Sequence, residues 1–157
     1  MSEEILSKIY KFCTYQERCR SEVRRKLLKL GAEEKDVENV LTHLESENFL
    51  NEERFATSFA RGKFIYKKWG RQKIRHELRQ KGVPGELIES AIEEEIDDES
   101  YSIAMRKLMR PRIKKLSGES LIKKKSELSR FLIMKGYESS LMSETIEGFL
   151  KEEGEES

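Results

Sequence analysis

The sequence predicts an all-α protein made of three tandem three-helix repeats in an elongated, curved array. Three observations lead there. Leu, Lys, Glu and Arg, all good helix formers, dominate the 157 residues, and only two prolines interrupt them. No run alternates apolar and polar residues with the β-branched side chains that strands favour. A ten-residue pattern ending in glycine occurs three times, as "EVRRKLLKLG" to Gly31, "KIRHELRQKG" to Gly82 and "ELSRFLIMKG" to Gly136.

Each element follows from this frame. A first helix spans roughly Glu3 to Thr14. A second carries Val23 and Leu27 eight and four residues before Gly31; a spacing of four puts both on one face. Glycine suits the left-handed residue that ends a helix, where a side chain meets its own backbone. The third helix returns Val37 and Leu41 at the sixth and tenth places after that glycine. A fourth helix starts at Asn51, whose side chain can cap it, with Glu52 and Glu53 at the positive end of the dipole, and runs to about Lys68. Its Phe55, Phe59 and Tyr66 lie near one face and are expected in the core. The fifth, opened by Gly70, buries Ile74 and Leu78 before Gly82; the sixth offers Ile88 and Ile92. The seventh spans roughly Asp98 to Leu116, with Pro111 expected to bend or shorten it. The eighth presents Leu128 and Leu132 before Gly136, and the ninth Met142 and Ile146. Repeats of residues 1–50, 51–97 and 98–151 result, followed by an acidic tail at 152–157 expected to be disordered. Units of about 50 residues are marginal alone, so neighbours are expected to pack on each other or to remain flexibly joined, giving an elongated, curved chain like stacked repeats.

The net charge of +1 conceals a segregated distribution. From Arg54 to Lys81 ten basic residues face Glu77 alone, and from Arg106 to Lys125 nine face Glu119. From Glu86 to Glu99 there are eight acidic residues and no basic one, and from Glu144 to Ser157 six acidic residues face Lys151. A partner responds to that distribution rather than to the total. In the fifth helix Arg71, Arg75 and Arg79 form a stripe beside the buried one, with Lys73 on another side. With Arg61, Lys63, Lys67 and Lys68 before them, and Lys107, Arg110, Lys114, Lys123 and Lys124 further on, these are the candidate partner-binding residues. The plainer reading is a solvated surface ion-paired to the acidic third helices. Trp69 is either packed between repeats or available to stack on a base.

Other classes find no support. There is no apolar run long enough for a secretory signal or a membrane span. Cys13 and Cys19 are too few and badly spaced for zinc, and read as reduced thiols of a cytoplasmic protein. His43 and His76 have no second ligand nearby in sequence. No phosphate loop or nucleophile elbow occurs. The expectation is a protein without catalysis, cofactor, metal, membrane or small-molecule substrate.

At "EVRRKL" (Glu22–Leu27), "NFLNEERFATSFA" (Asn48–Ala60), "KWGRQKIRHELRQKG" (Lys68–Gly82) and "SRFLIMKGY" (Ser129–Tyr137), the chain resembles the RecX family of recombinase regulators. The resemblance runs from about Leu6 to Leu150. It departs at Cys19, where the family often has a hydroxyl residue and where sulfur makes a poorer cap. The resemblance implies a nine-helix protein that binds the RecA recombinase filament in its groove on single-stranded DNA. It also implies a role in recombination, DNA repair and the SOS response, limiting ATP hydrolysis, strand exchange and filament growth. Single-stranded DNA is expected to be touched indirectly or weakly. The competing reading is a helical module that binds DNA or RNA directly. Replacing Arg71, Arg75 and Arg79 together by alanine is expected to weaken inhibition while helical content survives.

Overall fold

A computed structural model describes residues 1–154. Within them the regular structure is entirely helical: α1 (Glu3–Tyr15), α2 (Arg20–Lys29), α3 (Glu34–Ser46), α4 (Glu52–Lys67), α5 (Arg71–Gln80), α6 (Gly85–Glu95), α7 (Asp98–Lys115), α8 (Leu121–Met134) and α9 (Ser139–Glu152). Residues 155–157 of the acidic tail lie outside the described residues; Glu152, assigned to that tail from the sequence, is the last residue of α9.

The three repeated glycines do what their spacing predicts. Gly31, Gly82 and Gly136 have φ of 100°, 80° and 98°. In each case the following amide reaches back five residues: Ala32 N–H donates to Leu27 O, Val83 N–H to Leu78 O and Tyr137 N–H to Leu132 O, at 3.0, 3.1 and 3.0 Å. The carbonyls that a helix end leaves open are thereby closed, and the chain is turned into the next helix. Asn48 (φ 65°) performs the same turn after α3, with Phe49 N–H donating to Leu44 O at 2.9 Å. Asparagine tolerates that conformation better than most side chains.

The chain divides into two compact units, one formed by residues 1–59 and 77–91, the other by 60–76 and everything from 92 onward. The divisions fall inside α4, α5 and α6 rather than at the repeat boundaries read from the sequence. In the first unit Ile9, Cys13, Val23, Leu27, Val37, Leu41, Leu44 and Leu50 make one core cluster, with Ile5, Tyr10, Phe12, Val40 and Phe49 packed on it. Each such side chain taken from water contributes about 1.5–3 kcal/mol. Electrostatics bind α2 to α3 across this core: Arg20 pairs with Glu38 and Glu45, and Arg24 with Glu34 and Glu38.

Cys19 does open α2, but the cap is completed from elsewhere. The Glu22 carboxylate accepts the Cys19 N–H at 3.1 Å, and Glu52 accepts the Arg20 N–H. The thiol meets Ser21 Oγ at 3.2 Å. Burial pushes both the Cys19 and Cys13 thiols above their ordinary pKa, which disfavours the reactive thiolate.

In the second unit the aromatic assignment differs from expectation. Tyr66 is 82 % exposed, and Phe64 is the buried ring near the end of α4, 6.0 Å from Tyr101. Helix α4 stops at Lys67, so Tyr66 lies in its last turn, where the core no longer covers it. Helix α7 continues through Pro111 to Lys115 and is not shortened by it. Asp97 caps α7, accepting from Ser100 N–H at 2.8 Å.

Candidate partner-binding site

The cations around Trp69 are held by an unusual helix junction in the second unit. The first amides of α5 have no carbonyl partners within their own helix. Gly70 N–H donates to Lys135 O at 2.8 Å, Gln72 N–H to Gly136 O at 2.9 Å and Arg71 N–H to the Tyr101 hydroxyl at 2.9 Å. The end of α8 thus caps the start of α5. Backbones must touch for this: a methyl group on Gly70 would overlap the Gly136 carbonyl and the Tyr137 nitrogen, and one on Gly136 would overlap the Lys73 Cβ. Tyr101 donates in turn to Glu138, and Tyr137 to Lys68 O at 2.9 Å. Burial first, and then its bond to Glu138, drives the Tyr101 phenol far above its ordinary pKa, so it stays a donor.

Arg71, expected on a partner-binding face, belongs to this junction instead. Its side chain is 12 % exposed, and its guanidinium reaches Asp98 at 2.8 Å, Glu138 at 3.3 Å and Ile96 O at 3.3 Å. The group also lies 4.1 Å from the centre of the Tyr101 ring. Burial opposes its charge, but the bonds to Asp98 and Glu138 outweigh it and raise its pKa. Lys124 is a second correction, because it is only 9 % exposed.

The remaining candidates of this unit divide by environment. Trp69 is half-buried, with the Lys63 and Lys73 ammonium groups 4.9 and 4.6 Å from its ring centre. Such contacts place cations at an aromatic surface without neutralising them. Arg61 and Lys67 are exposed and Lys68 half-buried; among the described residues none of the three forms an ion pair. Lys68 is a left-handed non-glycine residue, φ 55°, ending α4. Arg75 is half-buried and donates to Gln72 Oε1 at 3.2 Å. In the first unit, Arg79 is exposed.

On α7, Lys107, Arg110 and Lys114 are exposed at spacings of three and four, one stripe of the helix. The solvated-face reading holds for part of this segment. Arg106 forks onto Glu152 at 3.1 and 3.2 Å, Arg110 meets Glu153 at 3.7 Å and Lys125 meets Glu147 at 3.7 Å. Lys123 pairs with Glu119 at 3.4 Å. Exposed pairs of this kind contribute little and release their cations readily. Lys107 and Lys114 have no such pair among the described residues. Among those residues no group of three or more His, Cys, Asp or Glu is arranged to hold a metal ion, and no helix is long and apolar enough to cross a membrane.

These features define a helical-repeat protein whose modules present cations. Family profiles match at residues 6–44, as the RecX first three-helix domain, and at 51–92, as the RecX second three-helix domain. "Regulatory protein RecX" of Prosthecochloris aestuarii is 30 % identical over 150 residues, 95 % of each chain. That of Halalkalibacterium halodurans is 32 % identical over 146 residues, covering 92 % of this chain and 54 % of the other. The crystal structure of RecX from Lactobacillus salivarius superposes with a TM-score of 0.82 at 22 % identity, covering 94 % of this chain and 98 % of that one. A second RecX crystal structure gives 0.83 at 24 % identity, over 92 % and 70 %. The chain belongs to the RecX family of regulatory proteins.

Proposed function

We propose that this protein restrains the RecA recombinase by binding its filament on single-stranded DNA, without catalysis of its own. Cations of the second unit would form the contact: exposed Arg61 and Lys67 with half-buried Lys68 beside the Trp69 cluster, and Lys107, Lys114 and the weakly paired Arg110 on α7. The single observation that carries this reading is that Arg61, Lys67, Lys107 and Lys114 are exposed with no ion pair among the described residues of a RecX-family chain in which Arg20, Arg24, Arg71 and Arg106 are tied to carboxylates. Holding like charges on a surface without counter-charges costs free energy that an anionic partner recovers. A protein filament wrapped on DNA offers phosphates and carboxylates in one groove. Contacts to several filament subunits would multiply a modest affinity at each, and a protein so lodged would impede ATP hydrolysis, strand exchange and filament growth. Such activity places it in the cytoplasm.

The test is DNA-dependent ATP hydrolysis by the recombinase, titrated with the purified protein at increasing salt. Inhibition that weakens steeply as salt rises supports the reading. Undiminished hydrolysis at a several-fold excess over recombinase subunits removes it.

A further inference from the structure

The strongest unassigned feature is in the first unit, outside the segments whose charge stands out in the sequence. Its centre is the ring of Phe12 on α1. The Arg18 guanidinium carbon lies 3.7 Å from that ring centre, and its Nε donates to Phe12 O at 2.9 Å. The Lys26 ammonium lies 5.5 Å from the same ring. Two positive charges are thus gathered at one aromatic surface. No carboxylate joins them among the described residues: Glu17 is taken by Arg54, Glu22 by Lys81 and Glu4 by Lys8. The contrast within α2 is informative. Its Arg20 and Arg24 are tied to Glu34, Glu38 and Glu45, whereas Lys26 and Lys29, on another side of the helix, have no acidic partner among the described residues. Beside the charges stands Tyr15, 82 % exposed, its ring centre 6.0 Å from the Arg18 guanidinium. Lys11 lies one helical turn before it.

We propose that this surface binds single-stranded nucleic acid, with Arg18 and Lys26 on backbone phosphates and Tyr15 stacked on an unpaired base. The Nε bond fixes the guanidinium plane, and among the described residues neither terminal nitrogen has a protein acceptor, so both can fork onto a phosphate. An exposed phenol ring beside that fork suits a splayed-out base, whose face a duplex keeps covered. An acidic protein surface would use the cations and leave the ring face unmatched. The site shares no residue with the proposed filament contact.

The test uses the full chain and a fluorescein-labelled thymidine 20-mer, followed by anisotropy with no recombinase present. Tyr15→Ala is expected to weaken binding about tenfold, because stacking on an aromatic residue contributes on the order of 1–3 kcal/mol per base. It should affect a duplex of equal length much less. Arg18→Ala with Lys26→Ala should lower the slope of log affinity against log salt by about 1.4, roughly 0.7 for each lost phosphate contact. Two outcomes would overturn the proposal. One is affinity within twofold of the parent for both variants, with helical circular dichroism retained. The other is displacement of the 20-mer by polyglutamate as effectively as by unlabelled strand, which would assign the surface to an acidic protein. Leaving the recombinase out keeps the result independent of the filament reading.

Discussion

Lys68 sits where glycine or asparagine is the easier choice. Its left-handed backbone brings its Cβ close to the following carbonyl, a cost of about 1–2 kcal/mol. Lys68→Gly is therefore expected to raise stability to urea by about 1 kcal/mol while removing a cation from the proposed contact and weakening recombinase inhibition. A variant that loses stability would show that the Lys68 side chain contributes packing not seen in its ion-pair environment. Gly70 poses the opposite constraint. Gly70→Ala forces a methyl group into the Gly136 backbone and should cost more than about 2 kcal/mol, read from urea unfolding. Neither residue's role was legible in the sequence. Gly70 reads as the opening of a helix, and its true constraint is a contact with Gly136, 66 residues away in the chain. Arg71 was misread for the same reason. It falls in a regular stripe with Arg75 and Arg79, yet its partners Asp98 and Glu138 come from other helices. The triple alanine replacement at 71, 75 and 79 would consequently disrupt the half-buried Arg71–Glu138 pair as well as a surface, so loss of inhibition would not isolate binding.

Helix boundaries were largely legible, because their causes are local. The positive-φ glycines at 31, 82 and 136 and the Asn51 cap, which accepts from Arg54 N–H at 2.9 Å, act within six residues of themselves. The burial of Val23 with Leu27, Ile74 with Leu78 and Leu128 with Leu132 likewise follows from a spacing of four. Periodicity failed at the end of α4, where it placed Tyr66 in the core and overlooked Phe64. What covers the last turn of a helix depends on other elements. The cap of α7 gives a prediction in pH. Asp97 has its pKa lowered, chiefly by the Ser100 N–H and then by the Ser100 hydroxyl. A lowered folded pKa means that its contribution is present above the ordinary value of 3.8 and is lost as pH falls through the folded value. Asp97→Asn keeps a capping oxygen without a titrating proton. It should match the parent near neutral pH and lose less stability on acidification below about 4. Equal acid sensitivity in a urea series across pH would exclude this role.

At the scale of the molecule, charge separates into two populations that total charge cannot distinguish. One is internal: Arg20, Arg24, Arg71 and Arg106 are tied to carboxylates on other helices. The other is unpaired: Arg61, Lys67, Lys107 and Lys114 are exposed and make no ion pair among the described residues. Counting cations along the sequence found the second population but could not subtract the first, since pairing depends on where distant helices meet. It also passed over the first module, where the Phe12 ring that gathers Arg18 and Lys26 comes from a different helix than Lys26. The proposal that the unpaired set grips a filament is tested most directly by replacing Arg61, Lys67, Lys107 and Lys114 together with alanine. The readout is recombinase ATP hydrolysis on single-stranded DNA. The parent should suppress hydrolysis, and the variant, with unchanged helical circular dichroism, should need at least about tenfold more protein for the same effect, as loss of several charge contacts implies. Full suppression by the variant at the parent's concentration would contradict it.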